Sequence, residues 1–293
     1  TEANVYHALA SWGEALTKEN LLAWRDREGG TCEINRHRVG IVMAGNIPLV
    51  GLHDFLSVFL SGHFAVVKMS SDDEALMPVL ATVLLRQDPL FEGDWVFVDQ
   101  LNDMGAVIAT GSDNTARYFE YYFGKYPNII RKNRTSLALL DGSESDEELV
   151  ALGSDNFQYF GLGCRNVGHL LVPADFDIQR IFANIVDWSD VVNNNKYGNN
   201  YDYYRALFLL NQEDFLGNGF IIVRENDELH TPVGILHLSR YQTKEEAADK
   251  IAQWGEKLQC VVGHGHIPFG KAQQPELCDY ADGVNTMAFL ANL

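Results

Sequence analysis

Short apolar runs that alternate with helix-like stretches constrain the fold of this chain more than any other sequence feature. In the first half the runs cover residues 38–43, 64–68, 95–98 and 106–109, and the stretches between them are 53–60, 73–86 and 114–123. Nearly continuous apolar runs are typical of parallel strands buried on both faces. Their alternation with helices predicts an open α/β sheet of the nucleotide-binding kind.

A second α/β series begins near Thr135. It has predicted strands at 136–140, 170–172, 220–223, 233–238 and 260–262, and predicted helices at 144–159, 178–188, 203–210 and 244–258. An amphipathic helix over 4–24 precedes both series, before Gly29-Gly30. Pro127 and the basic cluster at 128–134 mark the change between two α/β domains, as the length of 293 residues also suggests.

The charge balance limits the classes of partner. Lys plus Arg is 22 and Asp plus Glu is 40, which gives a formal net charge of −18. Such an excess of negative charge argues against nucleic acid and anionic membranes as partners. It is compatible with an anionic cofactor held by local positive groups or helix N-termini.

The four cysteines, Cys32, Cys164, Cys260 and Cys278, are widely spaced and contain no CxxC pair. They are expected to be free thiols in a reducing compartment. No apolar run reaches 18 residues and no signal pattern opens the chain, so we expect a cytoplasmic protein without a membrane span. His264-Gly265-His266 lacks a third ligand nearby, and no metal site is predicted.

Cys164 is the strongest candidate for a catalytic side chain. It follows Gly161 and Gly163 in a turn between a predicted helix and a predicted strand. Glycines let backbone and substrate approach closely, and such turns can present an activated thiol. The alternative is that Cys164 is a small buried apolar side chain.

Three strand-end loops carry further candidates. Asn46, after the first strand, can donate to an oxyanion, although its Gly-Asn-Ile-Pro context is also a good turn. Lys68 with the hydroxyls at 70–71 suits a ribose or phosphate, or simply an N-cap. Thr110-Gly111-Ser112 opens a helix whose N-terminus suits a pyrophosphate. The sequence has no GxGxxG fingerprint.

The chain resembles the aldehyde dehydrogenase superfamily in the order of its motifs: Asn46-Ile47-Pro48, Val66-Val67-Lys68-Met69-Ser70, Thr110-Gly111-Ser112, Cys164 and Glu228-Leu229-His230-Thr231-Pro232-Val233. Within it the chain is most similar to the fatty acyl-CoA reductases of bacterial bioluminescence and their relatives, through residues 43–48, 109–122 and 160–167. The resemblance covers nearly the whole chain, with a shortened N-terminal portion. It implies two α/β domains with open, mostly parallel sheets.

The resemblance also implies a different role for each part of the chain. Residues 1–130, including the N-terminal helix, would form the cofactor-binding domain and residues 131–265 the catalytic domain. Residues 266–293 would return toward the cofactor domain or an oligomer interface. Family members commonly pair through a β-flap and the C-terminal segment, so a homo-oligomer is expected.

Roles for single residues follow from the same resemblance. Cys164 would be the nucleophile that takes an acyl group from coenzyme A, and Asn46 would form the oxyanion hole with the Cys164 amide. The cofactor would be NADPH, with NADH possible. It would be bound at the adenosine ribose by Lys68, near Ser71, at the nicotinamide and pyrophosphate by Thr110, Gly111 and Ser112, and at the nicotinamide ribose by Glu228.

Two departures from the family pattern refine the expected reaction. Aldehyde-oxidising members carry a general-base glutamate in a Glu-Leu-Gly-Gly-Lys motif, and here Ile130 stands at that place. A general base lets water hydrolyse a thioester, so its absence favours reduction of acyl-CoA to aldehyde. Ser71 replaces a glutamate that NAD-specific members often have, which favours NADPH.

Two sequence features each have more than one explanation. Arg131, Lys132 and Arg134 form a positive patch that either pairs with coenzyme A phosphates or is merely exposed. The tract 193–200 is expected to be a polar surface loop, or to line the acyl or coenzyme A entrance.

The leading hypothesis for the function is an NADPH-dependent acyl-CoA reductase. One alternative is a semialdehyde or acyl-phosphate reductase, which needs a cationic or polar acyl pocket. The other is a non-catalytic subunit.

Overall fold

The computed structural model describes residues 1–28 and 35–293, which form two compact units. The first unit combines Thr1–Asn133 with Glu276–Leu293, and the second is Arg134–Pro275. The glycine pair before the first strand and Cys32 lie outside the described residues.

The first unit is built on one parallel sheet. Its elements up to Asn133 are α1 (Glu2–Ala15), α2 (Lys18–Arg27), β1 (Arg38–Val42), α3 (Leu52–Leu60), β2 (Phe64–Lys68), α4 (Leu76–Gln87), β3 (Trp95–Phe97), β4 (Ala106–Thr110), α5 (Asp113–Phe123) and β5 (Asn128–Arg131). The strand order is β3-β2-β1-β4-β5, and every neighbouring pair is parallel. The order reverses direction between β1 and β4, which makes their carboxyl ends the place where such sheets bind ligands.

Both faces of this sheet are buried, as the apolar runs predict. Val39 and Ile41 of β1 pack on one face with Phe55 of α3, and Val66 of β2 packs on the other face with Val107 of β4. Burial on both faces excludes polar side chains from the middle of the strands. Polar functional groups are therefore left to the loops at the strand ends.

Two expectations for the first unit are wrong in detail. The single helix expected over 4–24 is two helices, because Thr17 adopts an extended conformation and caps α2 by accepting a hydrogen bond from the Asn20 amide at 3.2 Å. The segment 128–134 does contain the change between the two units, between Asn133 and Arg134, but it begins with β5, which pairs with β4. Its short run Asn128–Arg131 has too few apolar residues to stand out as a strand.

The second unit contains a larger sheet. Its elements are β6 (Thr135–Leu139), α6 (Asp146–Phe157), β7 (Val167–Pro173), α7 (Gln179–Asn184), α8 (Asn195–Asn211), β8 (Leu216–Gly217), β9 (Ile222–Glu225), β10 (Ile235–Tyr241), α9 (Lys244–Trp254) and β11 (Leu258–Gly263). The strand order is β11-β6-β7-β10-β9-β8, parallel throughout except for the antiparallel pair β8–β9. Across the described residues, no helix is both long and apolar enough to cross a membrane.

The tract 193–200 is not a surface loop, because most of it forms the start of α8. Asn194 caps the helix by accepting a hydrogen bond from the Tyr197 amide at 3.1 Å. Tyr197, Tyr201 and Phe208 recur at helical spacing and are buried, while the asparagines lie between them. The high Asn content hides this amphipathic pattern in the sequence.

Residues 276–293 complete the first unit and carry α10 (Thr286–Ala291). Arg131 at the end of β5 connects this segment to the sheet: it is 4% exposed, forms an ion pair with Asp54 of α3, and donates to Thr286 Oγ1 at 2.9 Å. The prediction of an exposed positive patch is therefore wrong for Arg131, while Lys132 is exposed, as the second alternative for the patch has it. Arg131 is a structural cation, and Lys132 pairs with Glu120 at 2.9 Å.

We expect Arg131→Met to lower the free energy of unfolding by about 3–5 kcal/mol, because it leaves the buried Asp54 carboxylate without its cation. Denaturant unfolding followed by tryptophan fluorescence measures the change. Lys132→Met is the matched control, since its exposed pair with Glu120 contributes at most ~1 kcal/mol. Equal losses in the two variants would show that the Arg131 pair is not a structural link.

Candidate active site

Three candidate loops leave the first sheet at one edge. In the strand register, Val42 of β1 lies beside Lys68 of β2 and Ala109 of β4. Because the strands are parallel, the loops after β1, β2 and β4 begin side by side. The structure thus brings Asn46, the Lys68–Ser71 segment and the Thr110-Gly111-Ser112 turn to the carboxyl edge of the sheet, at its switch point.

The loops after β1 and β2 pack closely against each other. A Cβ atom on Gly45 would lie 2.5 Å from Ser70 Oγ, so the backbone before Asn46 needs glycine there. The Asp73 carboxylate accepts a hydrogen bond from the Leu49 amide at 3.2 Å, and Leu49 has a left-handed φ of 58°. This contact fixes a tight loop on which the Asn46 side chain is exposed.

The hydroxyls after Lys68 do not cap a helix. Helix α4 begins only at Leu76, and its N-cap, Ala75, makes no side-chain hydrogen bond. Ser70 Oγ instead accepts from the Asp72 amide at 3.3 Å within a turn, and Ser71 is exposed. The explanation of this segment as an ordinary N-cap is therefore wrong.

Thr110-Gly111-Ser112 leads directly into α5. Ser112 is the N-cap, and its Oγ accepts from the Thr115 amide at 3.3 Å. A Cβ on Gly111 would lie 2.9 Å from the Phe119 ring, so only glycine fits this approach. The N-terminus of α5 is thereby aimed out of the same sheet edge, where its amides can interact with an anion.

In the second unit, the turn before Cys164 has an uncommon backbone. After α6 ends, Tyr159, Phe160 and Gly161 have successive positive φ angles of 57°, 58° and 69°. Left-handed geometry is costly for residues with side chains and persists only where the surroundings hold it. Such stretches concentrate at functional sites.

The buried Asn166 side chain holds this turn. Its Oδ1 accepts the Gly163 amide at 2.8 Å, while its Nδ2 lies 3.3, 3.1 and 2.8 Å from the carbonyls of Asp155, Asn156 and Gln158. The carbonyls at the end of α6 have no further helical turn to bond. One amide group therefore closes the end of the helix and positions the glycine before Cys164.

Cys164 lies at the surface of this arrangement. It is half-buried, and its carbonyl accepts a hydrogen bond from Ser136 Oγ at 3.1 Å. Cys260 and Cys278 pack against hydrophobic clusters, whereas Cys164 belongs to none of the clusters found among the described residues. The alternative explanation of Cys164 as a small core side chain is not supported.

The neighbouring Arg165 side chain is hydrogen-bonded to the backbone. Its Nε donates to the Ala272 carbonyl at 2.6 Å, while the buried Asp155 carboxylate accepts the amides of Gly270 and Ala272 at 2.7 and 2.9 Å. Burial raises the pKa of Asp155 to about 6, against the opposing effects of these amides and of Arg165.

Glu228 lies on the loop that connects β9 to β10 in the second sheet. Two buried histidines on paired positions of β7 and β10 face the Glu228 carbonyl: His237 Nδ1 lies at 2.7 Å and His169 Nδ1 at 3.2 Å. His169 Nε2 lies 2.8 Å from Ser239 Oγ, which donates to Asp227 at 2.6 Å. The Glu228 side chain itself is exposed.

Burial makes these histidines poor bases. It lowers the pKa of His169 to about 4, and it also lowers the pKa of His237. Both rings are therefore neutral near pH 7 and act as hydrogen-bonding groups that hold the loop.

The Glu228 loop and the Cys164 turn lie at the same end of the second sheet. A Cβ on Gly168 at the start of β7 would lie 2.3 Å from Thr231 Oγ1, and His230 Nδ1 lies 3.4 Å from Thr135 Oγ1. Ser136, the next residue of β6, bonds the Cys164 carbonyl. The sequence-predicted Cys164 and the 228–233 motif are thus brought together at the amino end of β6 and β7.

Solved structures similar to this chain include several aldehyde dehydrogenases. One from Mycobacterium tuberculosis, complexed with NAD+, matches with a TM-score of 0.58 and 16% identity over 73% of this chain and 54% of that one. HpcC from Thermus thermophilus matches with 0.61 and 14% over 83% and 60%, and an aldehyde dehydrogenase variant from Bacillus cereus with 0.59 and 14% over 84% and 62%. This chain has the aldehyde dehydrogenase fold.

The predicted fold class is therefore confirmed. The chain spans between 54% and 62% of the length of these three structures. No protein-family model matches the sequence, and no curated protein sequence matches it significantly.

Within the aldehyde dehydrogenase fold, the residues that support the candidate site are not among those predicted from the sequence. Asn166, His169, His237 and Ser239 are all buried and polar. Polar side chains inside otherwise apolar runs are a usable signal, because burying them without partners is costly. The histidines at 169 and 237 carry that signal in the sequence.

The expectation that His264 lacks neighbouring metal ligands is also wrong. Ligand atoms of Asp141, Glu144 and His264 all lie within 4.8 Å of one another. The His264 ring nitrogens lie 3.1 Å from Asp141 and 3.0 Å from Glu148, and these carboxylates raise the pKa of His264. Glu144 accepts the backbone amides of Asp141 and Gly142, so the cluster is stabilised by its own hydrogen bonds.

We expect Asn166→Ala to lower the free energy of unfolding by about 2–4 kcal/mol, because several buried backbone groups lose their partner. Amide hydrogen exchange at Gly163 should accelerate together with this loss. Asn156→Ala is the control, since Asn156 Nδ2 makes one hydrogen bond, to the Val167 carbonyl. If the two variants unfold and exchange alike, Asn166 is not what holds the turn.

The folded state should lose stability as the pH falls from about 6.5 to about 4, because His169 keeps its depressed pKa only when folded. In that window the unfolded chain binds the proton and the folded chain does not, which costs up to about 3 kcal/mol. His169→Gln should remove this part of the pH dependence. Parallel wild-type and variant curves in urea titrations at each pH would refute the assignment.

Proposed function

We propose that this protein reduces an acyl-CoA thioester to an aldehyde with NADPH, through an acyl group carried on Cys164. The observation that carries the proposal is the Cys164 turn: in an aldehyde dehydrogenase fold, the thiol stands outside the hydrophobic clusters, just after three residues of positive φ, in a turn held by Asn166. That geometry is expensive for a merely structural cysteine and suits a nucleophile.

The covalent step is a thiol exchange followed by reduction. The Cys164 thiolate attacks the thioester carbonyl, the bond from carbon to the coenzyme A sulfur breaks, and coenzyme A leaves as its thiol after taking a proton. The acyl group on Cys164 then accepts a hydride at its carbonyl carbon, the bond from that carbon to Sγ breaks, and the group leaves as aldehyde. The released Cys164 thiolate takes a proton, which restores the free thiol. The hydride would come from a dihydronicotinamide bound beside Cys164, which would be oxidised.

Asn46 and the Cys164 amide are assigned to the developing oxyanion. Asn46 has an exposed amide group on a loop fixed by Gly45 and Asp73, which suits a preorganised donor. Because the donor is held before the reaction, little reorganisation is needed when charge develops on the carbonyl oxygen.

The carboxyl edge of the first sheet has the chemistry that a nicotinamide dinucleotide requires. The Lys68 ammonium and Ser71 hydroxyl suit an adenosine ribose, and the α5 N-terminus after Gly111 suits a pyrophosphate. Glu228, exposed on its histidine-held loop, is assigned to the nicotinamide ribose. An uncharged Ser71 tolerates a 2′-phosphate that Lys68 can pair with, so NADPH is the proposed cofactor.

Ile130 supports reduction over oxidation. It lies on β5 paired with Ala109, and its side chain is apolar at the place where oxidising relatives of the chain carry a general base. With no base there, water is not activated to hydrolyse the thioester on Cys164. The acyl group then lasts long enough to be reduced.

The test combines steady-state NADPH oxidation, on a panel of acyl-CoA thioesters, with intact-mass analysis of the acyl adduct formed without NADPH. Cys164→Ala should abolish both turnover and adduct, a loss of at least ~10³-fold in rate. Cys260→Ala, which removes the thiol that lies 3.0 Å from Ser136 Oγ, should retain both. An adduct on a different cysteine, or turnover that survives Cys164→Ala, would overturn the proposal.

A further inference from the structure

One buried carboxylate near the Cys164 turn has no part in the proposed mechanism. Asp155 lies near the end of α6 and is 0% exposed. Its two oxygens each accept a backbone amide from residues 268–275, here called the β11 loop: Oδ2 accepts from Gly270 at 2.7 Å and Oδ1 from Ala272 at 2.9 Å. Asp155 therefore ties this loop to α6.

The β11 loop comes very close to α6. Ala151 lies one helical turn before Asp155, on the same side of the helix. A Cβ atom on Gly270 would lie 3.1 Å from the Ala151 Cβ, and Gly270 has a left-handed φ of 80°. Glycine at this position therefore lets the loop backbone reach the Asp155 carboxylate.

The β11 loop in turn holds the side chain of Arg165. The Ala272 amide donates to Asp155, and the Ala272 carbonyl accepts from Arg165 Nε at 2.6 Å. Because the two hydrogen bonds lie on either side of one residue, the place of the carbonyl depends on the carboxylate. Asp155 thereby fixes the acceptor that Arg165 uses.

Cys164 thus has an anchored residue on each side. Before it, the Gly163 amide donates to Asn166 Oδ1 at 2.8 Å; after it, the Arg165 side chain is bound to the β11 loop. Asn166 Nδ2 also lies 3.3 Å from the Asp155 carbonyl, so both anchors lead back to the same residue of α6. The hydrogen bonds form a closed ring through α6, the β11 loop and the turn.

A carboxylate is the side chain that this arrangement requires, although burial penalises it. Two amide donors point at Asp155, and a carboxylate offers an acceptor to each, whereas an asparagine would turn its NH₂ group toward one of them. Burial raises the pKa of Asp155 to about 6, so at neutral pH the fold keeps a buried charge that costs it stability. Such a cost is typical of functional sites.

We propose that Asp155 is a positioning residue for the Cys164 thiol, on which it acts through the β11 loop and Arg165. The inference rests on the proposed function, which it deepens by naming a residue that sets the rate of thiol attack. Ionised Asp155 keeps the thiol in place for attack on the thioester carbonyl. Protonated Asp155 releases one loop amide, because the acid O–H group is a donor and faces a donor.

The test measures acylation of Cys164 in a single turnover without NADPH, by intact mass, with butyryl-CoA, octanoyl-CoA and myristoyl-CoA. Asp155→Asn should lower the maximal acylation rate by at least about tenfold at pH 7.5, because small displacements of a reacting group have large effects on rate. The thioester concentration at half-maximal rate should change by less than about threefold, since buried Asp155 does not contact the thioester. Partial unfolding would instead lower the amplitude of acylation.

The effect should depend on pH with the sign set by Asp155. Two charged side chains come from the segments packed against it: Arg165, which opposes the upward pKa shift, and Lys271, which is exposed and donates to Gln274 Oε1 at 2.7 Å. With a pKa of about 6, Asp155 is ionised at pH 7.5 and about nine-tenths protonated at pH 5. The wild type should therefore be only about twofold faster than Asp155→Asn at pH 5. Taking the ratio of the two rates removes the titration of the thiol itself.

Glu144→Gln is the matched control. Glu144 is 3% exposed and also accepts two backbone amides, those of Asp141 and Gly142, but it lies beyond the carboxyl end of β6, whereas the Cys164 turn lies at the amino end. Its variant should be acylated at the wild-type rate. Equal slowing in the two variants would overturn the inference, and so would a rate ratio for Asp155→Asn that is the same at both pH values.

Arg165→Met removes the donor at the other end of the same path. It should slow acylation as Asp155→Asn does. The double variant should be at most about twofold slower than the slower single variant, because both changes break one chain of contacts. Effects that multiply independently contradict that chain.

Failure of the proposed function is distinguishable. If none of the three thioesters acylates Cys164, alkylation by iodoacetamide followed by peptide mass mapping measures the thiol directly. Asp155→Asn should then slow alkylation of Cys164 by at least about threefold and leave that of Cys260 unchanged, because an unanchored turn lets the thiol leave its place outside the hydrophobic clusters. Equal alkylation of Cys164 in the wild type and the variant refutes the positioning role.

Discussion

The hydrogen bonding of Asn166 is the interaction on which the candidate site depends. A helix that ends inside a protein leaves carbonyls that need donors, and at the end of α6 one buried amide group lies beside three of them. The same side chain accepts the Gly163 amide. The chain can then pass through positive φ angles at Tyr159, Phe160 and Gly161 and present Cys164 outside the hydrophobic clusters.

The Glu228 loop follows the same pattern, in which an exposed side chain lies on a loop held by buried polar groups. His169 and His237 stand on adjacent strands and converge on one backbone carbonyl. Their burial keeps them uncharged near neutral pH, so they hold the loop without adding charge beside Glu228. Rigid support under an exposed side chain is what precise positioning of a ligand requires.

The carboxyl edge of the first sheet, where open α/β sheets bind ligands, is built without a GxGxxG fingerprint. In two separate loops, glycine lets the backbone pack closely against a side chain: Gly45 lies against Ser70, and Gly111 lies against Phe119. The positive features at this edge, Lys68 and the α5 N-terminus, are local ones in a chain of net charge −18. Local focusing of positive potential matters more for an anionic ligand than the total charge.

The sequence alone determined the alternation of strands and helices, the fold class and the candidates at strand ends, because burial on both faces of a parallel sheet leaves a local apolar pattern. Only the tertiary structure decided which distant residues meet. It paired Arg131 with Asp54, set His264 beside Asp141, and made the 193–200 tract a helix with the buried Tyr197 beside the Cys164 turn. Such contacts join residues far apart in the chain, and periodicity records which side of an element is buried but not what it is buried against.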